Sequence, residues 1–238
     1  MTRVVLTGAT GGLGHSLAMR LFDESNVELV CLYRNKSKFE NLYKDCENLP
    51  MGYLVKKEDD FSDLIDLLEM KELSPIVLIL NAFSLEPIKK MGDFTTKEIE
   101  SVIYGNLTRN FLLLNAVISF CKKHSNPLRI INLDSGAADF PLMGWSNYCA
   151  AKAYMKSLME VISVENPTYQ IVSFDPGVMD THMQEVVRET DHTVFDKVET
   201  FIKYKKDHEL NNPDDVAKNI IDRYVINWRA KELREKYK

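Results

Sequence analysis

The sequence predicts an α/β protein: a single doubly wound domain in which a parallel sheet is flanked by helices. Three observations predict it. Short β-rich apolar runs alternate with longer helical patterns from end to end. The first run leads straight into a glycine-rich loop. No repeat, low-complexity segment or Gly/Ser/Pro linker divides the 238 residues. Apolar runs without strict polar alternation suit strands covered on both faces. Strand–helix alternation repeated about six times is the doubly wound pattern.

Taken in order, the expected strands are residues 4–6, 29–32, 53–55, 76–80, 128–133 and 170–174. Helical spacing follows the first strand over residues 15–22. It returns over 61–73, where Leu64, Leu67 and Leu68 share a face. After the sixth run the rhythm breaks. Residues 175–212 are polar, with Met179, Met183, Val186, Val187, Phe195 and Phe201 scattered through them. So long a connection is usually functional, and a substrate loop over about 178–212 is expected. The tail from Tyr224 is helical in composition and strongly charged. A charged helical end over about 228–238, with no closing strand, is the expectation there.

Composition narrows the function classes. Apolar residues make up 45% and charged residues 27%, which excludes disordered and fibrous chains. Thirty Lys and Arg against thirty-five Asp and Glu give a net charge of −5, an argument against nucleic acid as the main partner. Cys31, Cys46, Cys121 and Cys149 show no CxxC spacing and read as reduced, buried thiols. No apolar run approaches the roughly 20 residues of a membrane span. The opening apolar run meets Gly8 too early for a signal-peptide core, so a cytoplasmic, soluble protein is expected. The five histidines are not spaced as metal ligands, and no metal is expected.

The glycine loop is Thr7-Gly8-Ala9-Thr10-Gly11-Gly12-Leu13-Gly14, set between the first strand and the first helix. Glycine belongs where the chain turns sharply and where a phosphate approaches closer than a Cβ allows. The helix that follows offers unpaired N–H groups to an anion. This context meets the test for a dinucleotide loop, the alternative being a Gly-rich turn with no ligand. An acid about 20 residues on would hold a ribose hydroxyl, whereas an arginine would meet a 2′-phosphate. The position is Arg34, with no Asp or Glu between Leu29 and Asn35, which favours NADP(H) over NAD(H).

Downstream stand Ser135, at the end of the fifth strand, and Tyr148 with Lys152 one helical turn apart. A tyrosine's ordinary pKa near 10 is too high for ready proton exchange at neutral pH. A neighbouring cation stabilises the phenolate and lowers it. Tyr148 then serves as general acid toward a carbonyl that receives hydride, and Ser135 holds the carbonyl oxygen.

These residues carry a resemblance to the classical short-chain dehydrogenases/reductases, extending to about Asn227. The loop from Thr7 to Gly14 matches the TGxxxGxG of that family. Leu80-Asn81-Ala82-Phe83 stands where the family has NNAG, departing at its first and last positions. The resemblance places Asn106 in a proton relay, holding a water that links the lysine to solvent. It places Ser135, Tyr148 and Lys152 in the catalytic triad, with Lys152 also binding ribose. Asn81 and Ala82 would lie near the adenosine ribose, although Asn81 reads equally as a turn residue. Asp175-Pro176-Gly177-Val178-Met179-Asp180-Thr181 resembles the PGxxxT segment, putting Pro176, Gly177, Val178 and Thr181 at the nicotinamide end, with Met179 close by. Trp145 and Met183, with Pro141, either line the substrate pocket or pack the loop against its own domain. Asp59 or Asp60 either contacts adenine or caps a helix. Asp134, directly before Ser135, departs from the small residue usual in the family. A homodimer or homotetramer is implied.

Residues 144–190 are similar in particular to sepiapterin reductases and bacterial benzil reductases, including Gly144-Trp145, Met183-Gln184 and Arg188-Glu189-Thr190. The charged run from Lys231 offers no clear equivalent of the sepiapterin enzymes' closing strand and pterin-anchoring acid. The expectation is therefore an NADPH-dependent reductase of a small-molecule ketone or vicinal diketone. The alternatives are a catalytically idle NADP(H)-binding regulator or scaffold, a reductase of 3-oxoacyl thioesters, or an alcohol dehydrogenase.

Overall fold

Ile76–Leu80 is buried at every position, as is all but the first residue of Thr2–Thr7. Strands so covered must lie inside a sheet with helices on both faces. In the computed structural model, which describes residues 1–44, 51–55, 61–69 and 74–237, they are β4 and β1, paired side by side. The other strands are β2 (Val27–Tyr33), β3 (Met51–Leu54), β5 (Leu128–Leu133), β6 (Gln170–Asp175) and β7 (Arg234–Lys236). All seven are parallel, in the order β3-β2-β1-β4-β5-β6-β7. The order reverses direction between β1 and β4, where a crevice opens at the carboxyl ends of the strands.

The helices are α1 (Gly12–Phe22), α2 (Lys36–Leu42), α3 (Ser62–Glu69), α4 (Thr96–Ile103), α5 (Arg109–His124), α6 (Ser146–Glu165), α7 (His182–Glu189), α8 (Val198–Lys206) and α9 (Pro213–Ile220). Two apolar layers result. One gathers Leu13, Leu17 and Leu21 of α1 with Val216, Ile220 and Tyr224 against one sheet face. The other gathers Leu113, Val117, Met155 and Met159 of α5 and α6 against the opposite face. A third, smaller cluster lies above the sheet's carboxyl edge, built on Trp145, Tyr148, Val187 and Phe195. Cys31 and Cys121 are free and buried, their thiols pushed up to about 12 by that burial, and Cys149 is free and half-buried. Cys46, Asp59 and Asp60 lie outside the described residues, as does any contact of either acid with adenine. Among the described residues no helix is long and apolar enough to cross a membrane.

The expected helical tail is corrected. Helix stops with a widened turn over Ile221–Ile226, and β7 then closes the sheet beside β6. Its backbone is tied in by Ser173 N–H to the Leu233 carbonyl (2.7 Å) and Tyr237 N–H to the Asp175 carbonyl (2.9 Å). The strand has no apolar run because it is three residues long and its side chains are engaged as ions. Arg234 meets Asp134 and Asp139, and Glu235 meets Arg223 and the Tyr224 hydroxyl.

Candidate active site

The crevice holds a cavity of about 650 Å³, lined at one end by Gly8, Thr10, Gly11, Gly12 and Leu13 and at the other by Tyr148 and Lys152. The loop's shape depends on its glycines. Gly8 and Gly12 take φ of +71° and +49°, in the left-handed region. A Cβ at Gly14 would overlap the Gly8 carbonyl oxygen, so α1 can start directly beneath the loop. Around Gly11, the residue that precedes α1, a Cβ would meet nothing within 4 Å. No side chain caps α1 and its first turn carries no acid, leaving its N–H groups to an anion. This cradle fits a dinucleotide pyrophosphate. Asn81 fastens the loop to the sheet: its Nδ2 donates to the Thr7 and Gly8 carbonyls, each at 3.2 Å. The Asn81 and Ala82 N–H groups both donate to Thr7 Oγ1 at 2.9 Å.

Arg34, Asn35 and Lys38 line the cavity past the end of β2. Arg34 is exposed and has no ion pair among the described residues, so its guanidinium is available to a ligand. Pro176, Met179, Thr181 and Met183 line the other end, together with Asn81 and Ala82 nearer the loop. Gly14, Gly177 and Val178 stand behind the lining. At Gly177 (φ +70°) a Cβ would stand 2.6 Å from Asn211 Nδ2, the group that donates to the Pro176 carbonyl.

Asn106 lies in a widened helical turn, Tyr104–Thr108, between α4 and α5. Such turns often occur at functional sites. Its buried side chain is held twice by Ser84: Oδ1 accepts from the Ser84 N–H (2.9 Å) and Nδ2 donates to the Ser84 carbonyl (2.8 Å). The Asn106 carbonyl accepts from Asn110 Nδ2 at 2.8 Å. Asn106 thus fixes the segment after β4 against α5, beside the cavity it helps to line.

Tyr148 and Lys152 project from one face of α6, both buried. The Lys152 ammonium donates to the Leu133 carbonyl at 2.5 Å. It lies 3.5 Å from the centre of the Phe83 ring and 5.5 Å from that of Tyr148. The Ser135 hydroxyl accepts from the Ala137 N–H at 3.2 Å. Burial pushes the Tyr148 phenol above its ordinary value. The Ser135 side chain opposes this, while the Asp175 and Asp134 carboxylates reinforce it. Burial also brings the Lys152 ammonium down to about 7, against the pull of the same two acids. Lys152 is turned toward Leu133 and Phe83. A phenol held neutral is in the correct state to donate a proton.

Trp145 does not line the cavity. Its ring stacks on Phe195 at 4.9 Å and meets Tyr148 and Phe201 edge-on at 5.8 Å each. Aromatic pairs of this kind contribute about 0.5–1.5 kcal/mol each beyond area burial. Trp145 therefore braces Tyr148 against α8 and the segment before it. Met183, by contrast, is on the lining and partly exposed. Two features escaped sequence reasoning. Phe83 contacts Lys152, and its place in the altered NNAG segment was the available signal. Arg234 pairs with Asp134; only the oddity of a buried acid before Ser135 pointed to it.

The comparisons agree with this geometry. The family model described as short chain dehydrogenase matches residues 2–192. The chain is 29% identical to a benzil reductase ((S)-benzoin forming) of Bacillus subtilis (strain 168), over 99% of each chain. It is 30% identical to the sepiapterin reductase of Rattus norvegicus, over 78% of this chain and 77% of that enzyme. Among solved structures it resembles the KRED1-Pglu enzyme, with a TM-score of 0.86 at 21% identity, covering 99% of this chain and 100% of that one. With the glycine cradle, Asn106, Tyr148 and Lys152 lining one crevice, and Ser135 off that lining but directly after Asp134, which is on it, the chain belongs to the short-chain dehydrogenase family.

Proposed function

We propose that this oxidoreductase is an NADPH-dependent carbonyl reductase acting on a ketone or vicinal diketone. The observation that carries the reading is the buried Tyr148, its phenol held above its ordinary value, with Lys152 one turn away, at the end of a cavity that begins in a dinucleotide cradle. The likeness to benzil reductase over the whole chain supports the substrate class. Arg34 and Lys38, with no acid at the end of β2, support NADP(H). The nicotinamide dinucleotide, when bound, supplies the hydride.

The chain's own residues do the remainder. The Ser135 hydroxyl orients the carbonyl and donates to the oxygen as charge develops. Tyr148 gives its phenolic proton to that oxygen. Lys152, its proton held only to about 7, returns a proton toward the tyrosine and binds ribose hydroxyls. Asn106 keeps the segment after β4 in place for the relay. Exposed apolar side chains on α4, α5 and α6 (Ile99, Ile103, Phe111 and Val161) support a homodimer or homotetramer joined through these helices.

The test is NADPH absorbance with benzil, an aliphatic diketone, sepiapterin and an acetoacetyl thioester, and NADH in parallel. Turnover of benzil or the diketone with NADPH is expected. Tight NADPH binding with no turnover of any of the four would instead favour the regulatory alternative.

A further inference from the structure

The closing strand β7 bears on the catalytic centre. Strand side chains alternate between faces. Arg234 and Lys236 project together, and Glu235 projects oppositely toward Arg223 and Tyr224. The two cations each meet an acid at the carboxyl end of another strand, Arg234 across β6 at Asp134 after β5 and Lys236 at Asp175 of β6. Arg234 Nε reaches Asp134 Oδ2 at 2.5 Å, and Lys236 Nζ reaches Asp175 Oδ2 at 3.5 Å. Asp134 directly precedes Ser135, its side chain is wholly buried, and its second oxygen Oδ1 has no partner. Arg234 also extends Nη1 to Asp139 (2.5 Å), which Lys156 of α6 holds at 2.8 Å.

We propose that Arg234 is a positioning residue of the catalytic centre, neutralising Asp134 and fixing the start of the Ser135 turn, so that the closing strand sets the charge felt by Tyr148 and Lys152. The proposal rests on the reading of those residues as the reacting pair. A buried carboxylate without a counter-ion is costly, and among the described residues Arg234 is the cation paired with Asp134. The charged groups around Lys152 are Asp134 from β5, Asp175 from β6 and, behind these acids, Arg234 and Lys236 from β7. Tyr148 faces it from its own helix, and Asp139 and Lys156 complete the network on the far side of Arg234. Both acids favour the charged lysine and disfavour the phenolate. Removing Arg234 exposes Lys152 to an uncompensated Asp134. Removing the Asp134 charge while Arg234 stays has the opposite effect.

The experiment is an NMR titration of protein carrying [ε-13C]lysine, with the Lys152 signal assigned by its loss in Lys152→Met. Arg234→Gln should raise the Lys152 midpoint by roughly half a pH unit or more, and Asp134→Asn should lower it. Arg234→Lys, which keeps the charge, should leave the midpoint close to wild type. In active protein the alkaline limb of kcat for reduction should move up in Arg234→Gln and down in Asp134→Asn. Unmoved midpoints, or shifts of the same sign in both variants, overturn the proposal. If Arg234→Gln does not fold, Asp134→Asn alone decides, by the presence or absence of the downward shift. The titration needs no turnover, so an inactive wild type would count against carbonyl reduction and leave this result standing.

Discussion

The ammonium of Lys152 stands 3.5 Å from the centre of the Phe83 ring. Phe83 occupies the last position of the altered NNAG segment, where the resembling enzymes carry glycine, and its π face partly replaces the water that a buried cation has lost. A desolvated cation–π contact is worth about 2 kcal/mol.

That contact favours the charged form of Lys152, so its loss must lower the midpoint further. Phe83→Leu is expected to move the Lys152 titration below the present value of about 7. The NMR titration reads this directly, and a midpoint equal to or above wild type would remove Phe83 from the account.

The same lysine sets a pH dependence of stability. Its pKa falls from 10.5 unfolded to about 7 folded, so the unfolded chain binds more protons between these values. Folding therefore bears the full penalty of burying this group below pH 7, and the penalty fades as pH rises toward 10.5. Lys152→Met removes it. The variant should melt at a higher Tm than wild type, with a larger gap at about pH 6 than at about pH 9, although it loses turnover. Thermal melts at the two pH values check this. A gap that widens with pH contradicts it.

On the proposed reading Arg34 meets the 2′-phosphate that distinguishes the two dinucleotides. A charge-assisted hydrogen bond to phosphate contributes about 1.5–3 kcal/mol, roughly 10- to 100-fold in affinity. Arg34→Ala should lose about that factor in kcat/KM with NADPH while leaving NADH nearly unchanged. Steady-state kinetics with both cofactors measure it, and equal losses would assign Arg34 a structural role.

Much of this was legible in the sequence, for physical reasons. Strands buried on both faces must be runs of apolar residues, so β1, β2, β4, β5 and β6 announced themselves. Glycines forced by φ and by close approach marked the cradle, and the i, i+4 spacing marked Tyr148 and Lys152. The closing strand was missed because its side chains are ion-paired rather than apolar. Arg234 and Lys236 read as solvated charge until their partners on β5 and β6 are seen. Trp145 stayed open for a related reason, since an aromatic residue beside Tyr148 serves equally to line a pocket or to brace it. Only the position of Phe195 decides between them.

In the proposed reaction Tyr148 delivers the proton to a carbonyl reduced by NADPH. NADPH oxidation with benzil by Tyr148→Phe beside wild type tests this, with NADPH affinity determined for both by fluorescence. Unchanged NADPH binding is expected, with a loss of turnover of about 10²- to 10⁴-fold, the usual contribution of a positioned general acid. Turnover within a few-fold of wild type would contradict it.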